Sequence, residues 1–152
     1  MFIALIFISI YMFAMPNGFG GFIHFGDSLI YIAAALLPFP FGLFAAALGP
    51  GLFNLARGPH WFPFTVVIKP LMALCFTSRG DSILGPLRNR IAPFLAGGIN
   101  TGLYFIANMI LFDSAIAVAA LPGLLIQGGG SVVFFFVIAF ALDRLRVKRL
   151  TV

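Results

Sequence analysis

Lys69 makes the strongest chemical demand on its surroundings. It stands inside an apolar run, roughly Phe64 to Thr77. A charge in such a segment costs roughly 2.5–3.5 kcal/mol on insertion scales, so it needs a partner or a ligand. Asp27 is the available acid for an ion pair. Pro70 follows Lys69 directly, and a helical proline frees a carbonyl one turn back. Asn100, Tyr104 and Asn108 are spaced i, i+4, i+8 and share one helix face. Gln127, Asn54, His24, Ser28, Arg57, His60 and Trp61 complete the polar inventory near them. Catalysis is poorly served. Ser28 and His24 are four apart with no supporting base, and His24, Asp27 and His60 match no zinc spacing. No metal and no cofactor is expected. These types suit hydrogen bonding to a small ligand, with Trp61 as a stacking platform or an interfacial residue.

Positioning these groups falls to strongly apolar elements. Of the 152 residues, 62% are hydrophobic and 9% charged, and the mean hydropathy is +1.13. Soluble domains carry about 25% charged residues, so an ordinary cytosolic globule is excluded. A nucleic-acid-binding module is excluded too, despite the net charge of +5. The lone Cys75 allows neither an internal disulfide nor a CxxC metal site.

Turn and breaker residues divide the chain into six apolar segments. They run approximately Phe2 to Met15, Gly26 to Leu37, Phe41 to Ala56, Phe64 to Thr77, Ile91 to Phe112 and Leu121 to Leu142. Met1 to Met15 lacks a basic n-region and an A-x-A site, so it reads as a retained first helix. Pro122 fits the first turn of the last helix. No segment shows the alternation of a lipid-facing barrel strand. The expected fold is an all-α membrane protein, one domain over residues 1–152, forming a bundle of six transmembrane helices.

Basic residues orient the bundle. Arg79, Arg88, Arg90, Arg144, Arg146, Lys148 and Arg149 fall at one end, and Arg57 alone at the other. Both termini are therefore expected in the cytoplasm, with loops 16–25, 57–63 and 113–120 outside. That frame places His24, Asp27, Asn54, Trp61, Lys69, Tyr104, Asn108 and Gln127 in the outer half. A channel needs a polar stripe through its full depth, and here the stripe stops halfway. The pattern reads as an outward-facing pocket with a closed floor. A ligand-free structural or assembly subunit is the other reading, and an empty or apolar outer cavity would mark it. Small residues four apart, such as Ala45 with Gly49 and Gly98 with Gly102, allow close helix contact. They serve the bundle itself or a partner protein.

Three stretches carry a family likeness. Gly21-Phe22-Ile23-His24-Phe25-Gly26-Asp27-Ser28, followed by Ala33-Ala34-Ala35-Leu36, resembles the loop and second helix of substrate-binding S components of energy-coupling factor (ECF) vitamin transporters. Trp61-x-Pro63-x-Thr65-x-x-Ile68-Lys69 resembles the start of their fourth helix, and Leu121-Pro122-Gly123-x-x-Ile126-Gln127 that of their sixth. The likeness spans roughly Gly21 to Arg144. It looks nearest the small hydroxymethylpyrimidine and vitamin B6 group. The resemblance implies a vitamin-sized ligand near the outer face and a gating loop between helices 1 and 2. It also implies partners: a transmembrane coupling protein and two ATPase subunits, since no Walker A motif is present here. The setting it implies is a multi-pass position in a prokaryotic plasma membrane. Relatives often dock through Ala-x-x-x-Ala on helix 1, whereas here Ile8 stands four residues after Ala4. Docking is expected on the inner half of segments 1 to 3, at Ala4, Ala33, Ala34, Ala45 and Ala46.

Overall fold

A computed structural model describes residues 1–16 and 22–150. Part of the Gly-rich loop expected between the first two helices, residues 17–21, lies outside the described residues. The helices are α1 (Phe2–Phe13), α2 (Asp27–Leu36), α3 (Phe41–Arg57), α4 (Phe62–Ala73), α5 (Leu87–Leu111), α6 (Ser114–Arg144) and the short α7 (Val147–Leu150). A 3-10 turn, Pro59–Trp61, leads into α4. A two-residue antiparallel ladder pairs β1 (Met15–Pro16) with β2 (Phe22–Ile23) at the mouth of the α1–α2 loop.

Helices α2, α3, α4, α5 and α6 close into a ring. Each packs on the next, α6 returns to α2, and α1 lies outside against α3. Polar residues of four ring helices can therefore meet at one centre. At about 1.5 Å per residue, α5 and α6 are roughly 37 and 46 Å long, enough for a hydrocarbon core of about 30 Å. These two are long and apolar enough to cross a membrane. Helices α1, α2 and α4 have 12, 10 and 12 residues, which is shorter than a full span.

Two boundaries differ from the sequence expectation. Helix α6 starts at Ser114 rather than near Leu121. Asp113 caps it, accepting a hydrogen bond from Ile116 N at 2.8 Å. A side-chain oxygen on an orphan amide is a strong start signal. Pro122 then sits inside the helix, and the expected outer loop 113–120 is mostly helical. Helix α4 stops at Ala73, and residues after it form turns capped by Arg88, which donates to the carbonyls of Leu74 and Cys75.

The alanines expected at a docking face take these places in the bundle. Ala33, Ala34, Ala45 and Ala46 are buried within the chain. A Cβ added at Gly42 would lie 3.1 Å from Ala34 Cα, and one at Gly49 would lie 2.7 Å from Ile6 Cγ2. The small residues of α2 and α3 thus serve close contact inside the bundle, α2 on α3 and α1 on α3. Of the five, only Ala4 is exposed. The pair Gly98 and Gly102 faces open space instead, with no atom within 4 Å of an added Cβ.

Candidate binding site

Asp27 opens α2 and is fully buried. Its Oδ1 accepts from Lys69 Nζ at 2.7 Å, and its Oδ2 accepts from Gln127 Nε2 at 2.9 Å. Lys69 also donates to Asn100 Oδ1 at 2.8 Å and lies 5.0 Å from the centre of the Tyr104 ring. One ion pair thus joins α2 to α4, and its two amide neighbours bring in α5 and α6. A buried charge without such partners is costly, which explains why the apolar ring converges its few polar groups here.

A second layer lies toward the α3–α4 turn. Asn54 Nδ2 donates to Thr65 Oγ1 at 2.5 Å, and Thr65 Oγ1 shares a 2.7 Å hydrogen bond with the Tyr104 hydroxyl. Trp61 is buried, with its ring 5.8 Å from that of Tyr104. His24 is buried beside Phe53, their ring centres 6.3 Å apart. Burial lowers its pKa to about 4, although the Asp27 carboxylate favours the charged form.

Between these layers lies a cavity of about 40 Å³, lined by Phe22, His24, Phe53, Asn54, Trp61, Tyr104, Leu124 and Gln127. Five of the eight residues expected from the sequence line it directly: His24, Asn54, Trp61, Tyr104 and Gln127. Asp27 and Lys69 stand behind Gln127 and Tyr104 as the support of its floor. Asn108 does not line it. Its amide turns back to the Tyr104 carbonyl at 2.7 Å, as an i, i+4 contact within α5. Thr65 stands in the Trp61 to Lys69 motif but was not among the residues expected at the site. A threonine in an apolar helix commonly bonds its own backbone, and only the fold shows it joining α3 to α5 through Asn54 and Tyr104. The apolar lining by Phe22, Phe53 and Leu124 carried no sequence signal.

A family model described as the ECF-type riboflavin transporter, S component, matches residues 1–144. The chain belongs to this family. It is therefore the substrate-binding subunit of an ECF vitamin uptake transporter, a membrane transport component and not an enzyme. Membership implies association with an ECF module of transmembrane protein and ATPases, and a small vitamin ligand. No curated protein and no solved structure matches the chain. The general resemblance to S components stands, while the family model does not describe the hydroxymethylpyrimidine and B6 group.

The network generates two expectations. Replacing Lys69 with Met strands a buried carboxylate, so unfolding in detergent should show a loss of about 3–5 kcal/mol. The double variant Asp27→Asn with Lys69→Met should recover much of that loss. Equal melting temperatures for the single and double variants would show that the pair is not coupled.

His24 gives a pH signature. Its folded pKa lies below the unfolded value of 6.5, so above pH 6.5 it contributes no pH dependence. Between 6.5 and 4 the unfolded state takes up a proton that the folded state refuses, and the fold loses stability. At pH 5 the loss is about 2 kcal/mol. Melting curves at pH 7 and pH 5 should differ by this amount for the native chain and much less for His24→Gln.

Proposed function

We propose that this S component takes up a small ring-shaped vitamin or precursor from outside the cell, and that the cavity between His24, Asn54, Trp61, Tyr104 and Gln127 is where it binds. The observation that carries this reading is the composition of the cavity wall. Aromatic rings and amide groups converge on one space, the combination that grips a flat heteroaromatic ring and reads its edges. An apolar cavity would have favoured a structural subunit.

The cavity is small for such a ligand. Ligand pockets measure roughly 300–1,000 Å³, against about 40 Å³ here. Binding therefore requires Phe22, His24 and Trp61 to move outward, since the ion pair fixes the opposite wall. His24 belongs to the α1–α2 connection and Trp61 to the α3–α4 turn, so both can shift without breaking the ring of helices.

Flavin is the first ligand to test, because the family description names a riboflavin transporter. The hydroxymethylpyrimidine and B6 group is the second, on the motifs from His24 to Ser28 and from Trp61 to Lys69. Mass spectrometry of small molecules that copurify in detergent, followed by competition among riboflavin, hydroxymethylpyrimidine and pyridoxine, separates the two. Riboflavin retention that Asn54→Leu or Gln127→Leu weakens tenfold or more supports this site. Undiminished binding in both variants would move the ligand elsewhere.

The same reading includes the arrangement in the membrane: one domain over residues 1–152, six crossings and both termini in the cytoplasm of a prokaryotic plasma membrane. The partners would be one coupling protein and two ATPase subunits. Arg79, Arg88, Arg90, Arg144, Arg146 and Lys148 gather where α4 and α6 end and α5 begins, which supports that orientation. Cysteines placed at Gly58 and at Ser82 should label from outside and from inside respectively. Labelling of the Ser82 position from outside would reverse the orientation.

A further inference from the structure

The end of the bundle away from the cavity holds a second, larger cleft of about 310 Å³. It opens between the α2–α3 turn, the end of α4 and the start of α5. Leu37, Leu43 and Leu74 supply apolar lining, and Thr77, Ser78, Arg79 and Arg88 supply polar lining. No acidic residue lines it.

The cations are placed in different ways. Arg88 is held in position, because its Nε donates to the Cys75 carbonyl at 2.8 Å and one terminal nitrogen donates to the Leu74 carbonyl. Its remaining terminal nitrogen keeps its donors. Arg79 has an exposed side chain on a loop that is itself fixed. Lys148 donates to the Arg79 and Ser82 carbonyls at 3.4 and 3.3 Å, and Asp143 accepts from Ile83 N and Leu84 N at 2.6 and 2.9 Å. The first turn of α3, at Gly42 and Leu43, borders the same cleft, and α3 has no side-chain cap. A helix start carries partial positive charge, so it adds to the two arginines. Phe39 and Phe41 are exposed beside the cleft, at 76% and 60%, where aromatic residues suit a membrane interface.

We propose that this cleft binds an anionic phospholipid, the phosphodiester resting between Arg79, Arg88 and the start of α3, and an acyl chain lying along Leu37, Leu43 and Leu74. Charge complementarity selects the anion. The apolar lining selects a lipid over a free phosphate, which would gain nothing from three leucines. Basic pockets between helices at a membrane surface are suited to such head groups. The site is independent of the vitamin cavity and requires only that this end of the bundle lie at the membrane surface.

The test uses the full chain in nanodiscs of phosphatidylcholine alone or with phosphatidylglycerol, read by native mass spectrometry of retained lipid and by melting temperature. Phosphatidylglycerol should be retained and should raise the melting temperature of the native chain. Arg79→Gln should weaken retention by about fivefold, and Arg79→Gln with Arg88→Gln further. Arg90→Gln should retain lipid normally, because Arg90 is bound to the Leu84 carbonyl and lies outside the cleft. Arg79→Gln guards against misfolding, since the Arg79 side chain caps no helix, and retained vitamin binding would confirm that its fold is intact. Equal retention by Arg79→Gln and the native chain overturns the proposal. So does equal loss in Arg90→Gln, which would mean diffuse charge attraction, or full competition by glycerol phosphate, which would mean an anion site without a lipid. Absence of any phosphatidylglycerol effect, with the same variants failing to assemble with the coupling protein, assigns the cleft to that partner instead.

Discussion

The pairing of Asp27 with Lys69 is the constraint on which the rest of the bundle depends. Two charges in an apolar interior lose most of their hydration, and mutual attraction repays that only with good geometry and further hydrogen bonds. Both conditions are met. The contact is 2.7 Å, Gln127 occupies the second carboxylate oxygen, and Asn100 takes a second lysine proton. Apolar helices in lipid have little else to fix their rotation, because one greasy face resembles another. The network fixes it for α2, α4, α5 and α6 together. A hydrophobic replacement of the pair could pack as stably, so the pair's value lies in setting where Tyr104 and Gln127 point.

The two ends of the bundle are built differently. Away from the cavity, side chains clamp backbone. Asn89 is fully buried and binds Thr77 N, Thr77 O and Ile83 O, while Asp143, Lys148 and Arg90 hold the rest of the α4–α5 loop. At the cavity end the closure is mostly ring against ring: His60 with Trp61, Trp61 with Phe112, and Phe22 with Phe53. Ring contacts are non-directional and can slide, whereas a carboxylate on two backbone amides must break. The bundle therefore yields more readily at the cavity end. If the proposed site takes ligand there, this asymmetry lets it open without loosening the other end.

Much of this was legible in the sequence because lipid makes polar residues expensive. Each of His24, Asp27, Asn54, Lys69 and Gln127 needed a reason, and their common depth gave one. The i, i+4, i+8 face of α5 was also legible, but its use was not. Asn100 reaches Lys69, Tyr104 reaches the cavity, and Asn108 bends back to its own helix. Spacing shows which side of a helix a group is on, while its partner depends on what lies across the gap. The alanines were ambiguous for a related reason. A small residue marks a close approach without saying whether the neighbour belongs to the same chain, and Gly42 and Gly49 show that here it does. Pro122 misled because proline suits a helix start, yet the Asp113 cap, eight residues before the expected start at Leu121, acts first, and one missing amide within 31 residues is tolerable.

The site leaves polar atoms unanswered, and one of them belongs to a residue of the cavity wall. His24 Nδ1, Asn100 Nδ2 and Asn108 Oδ1 are buried with no protein partner among the described residues. Each such group costs about 1–3 kcal/mol. Rearranging the chain to satisfy them would pull Asn100 from Lys69 or His24 from beside Phe53, and so would loosen the ion pair or the ring packing at the cavity. The conflict is built into the site: groups that fix the floor and the ring packing cannot also satisfy one another fully. An incoming ring with donors and acceptors on its edge could answer His24, while the paired floor keeps its own bonds. Recognition would then draw on the cost already present in the closed state, and the ion pair would remain a fixed reference rather than a group that ligand must displace.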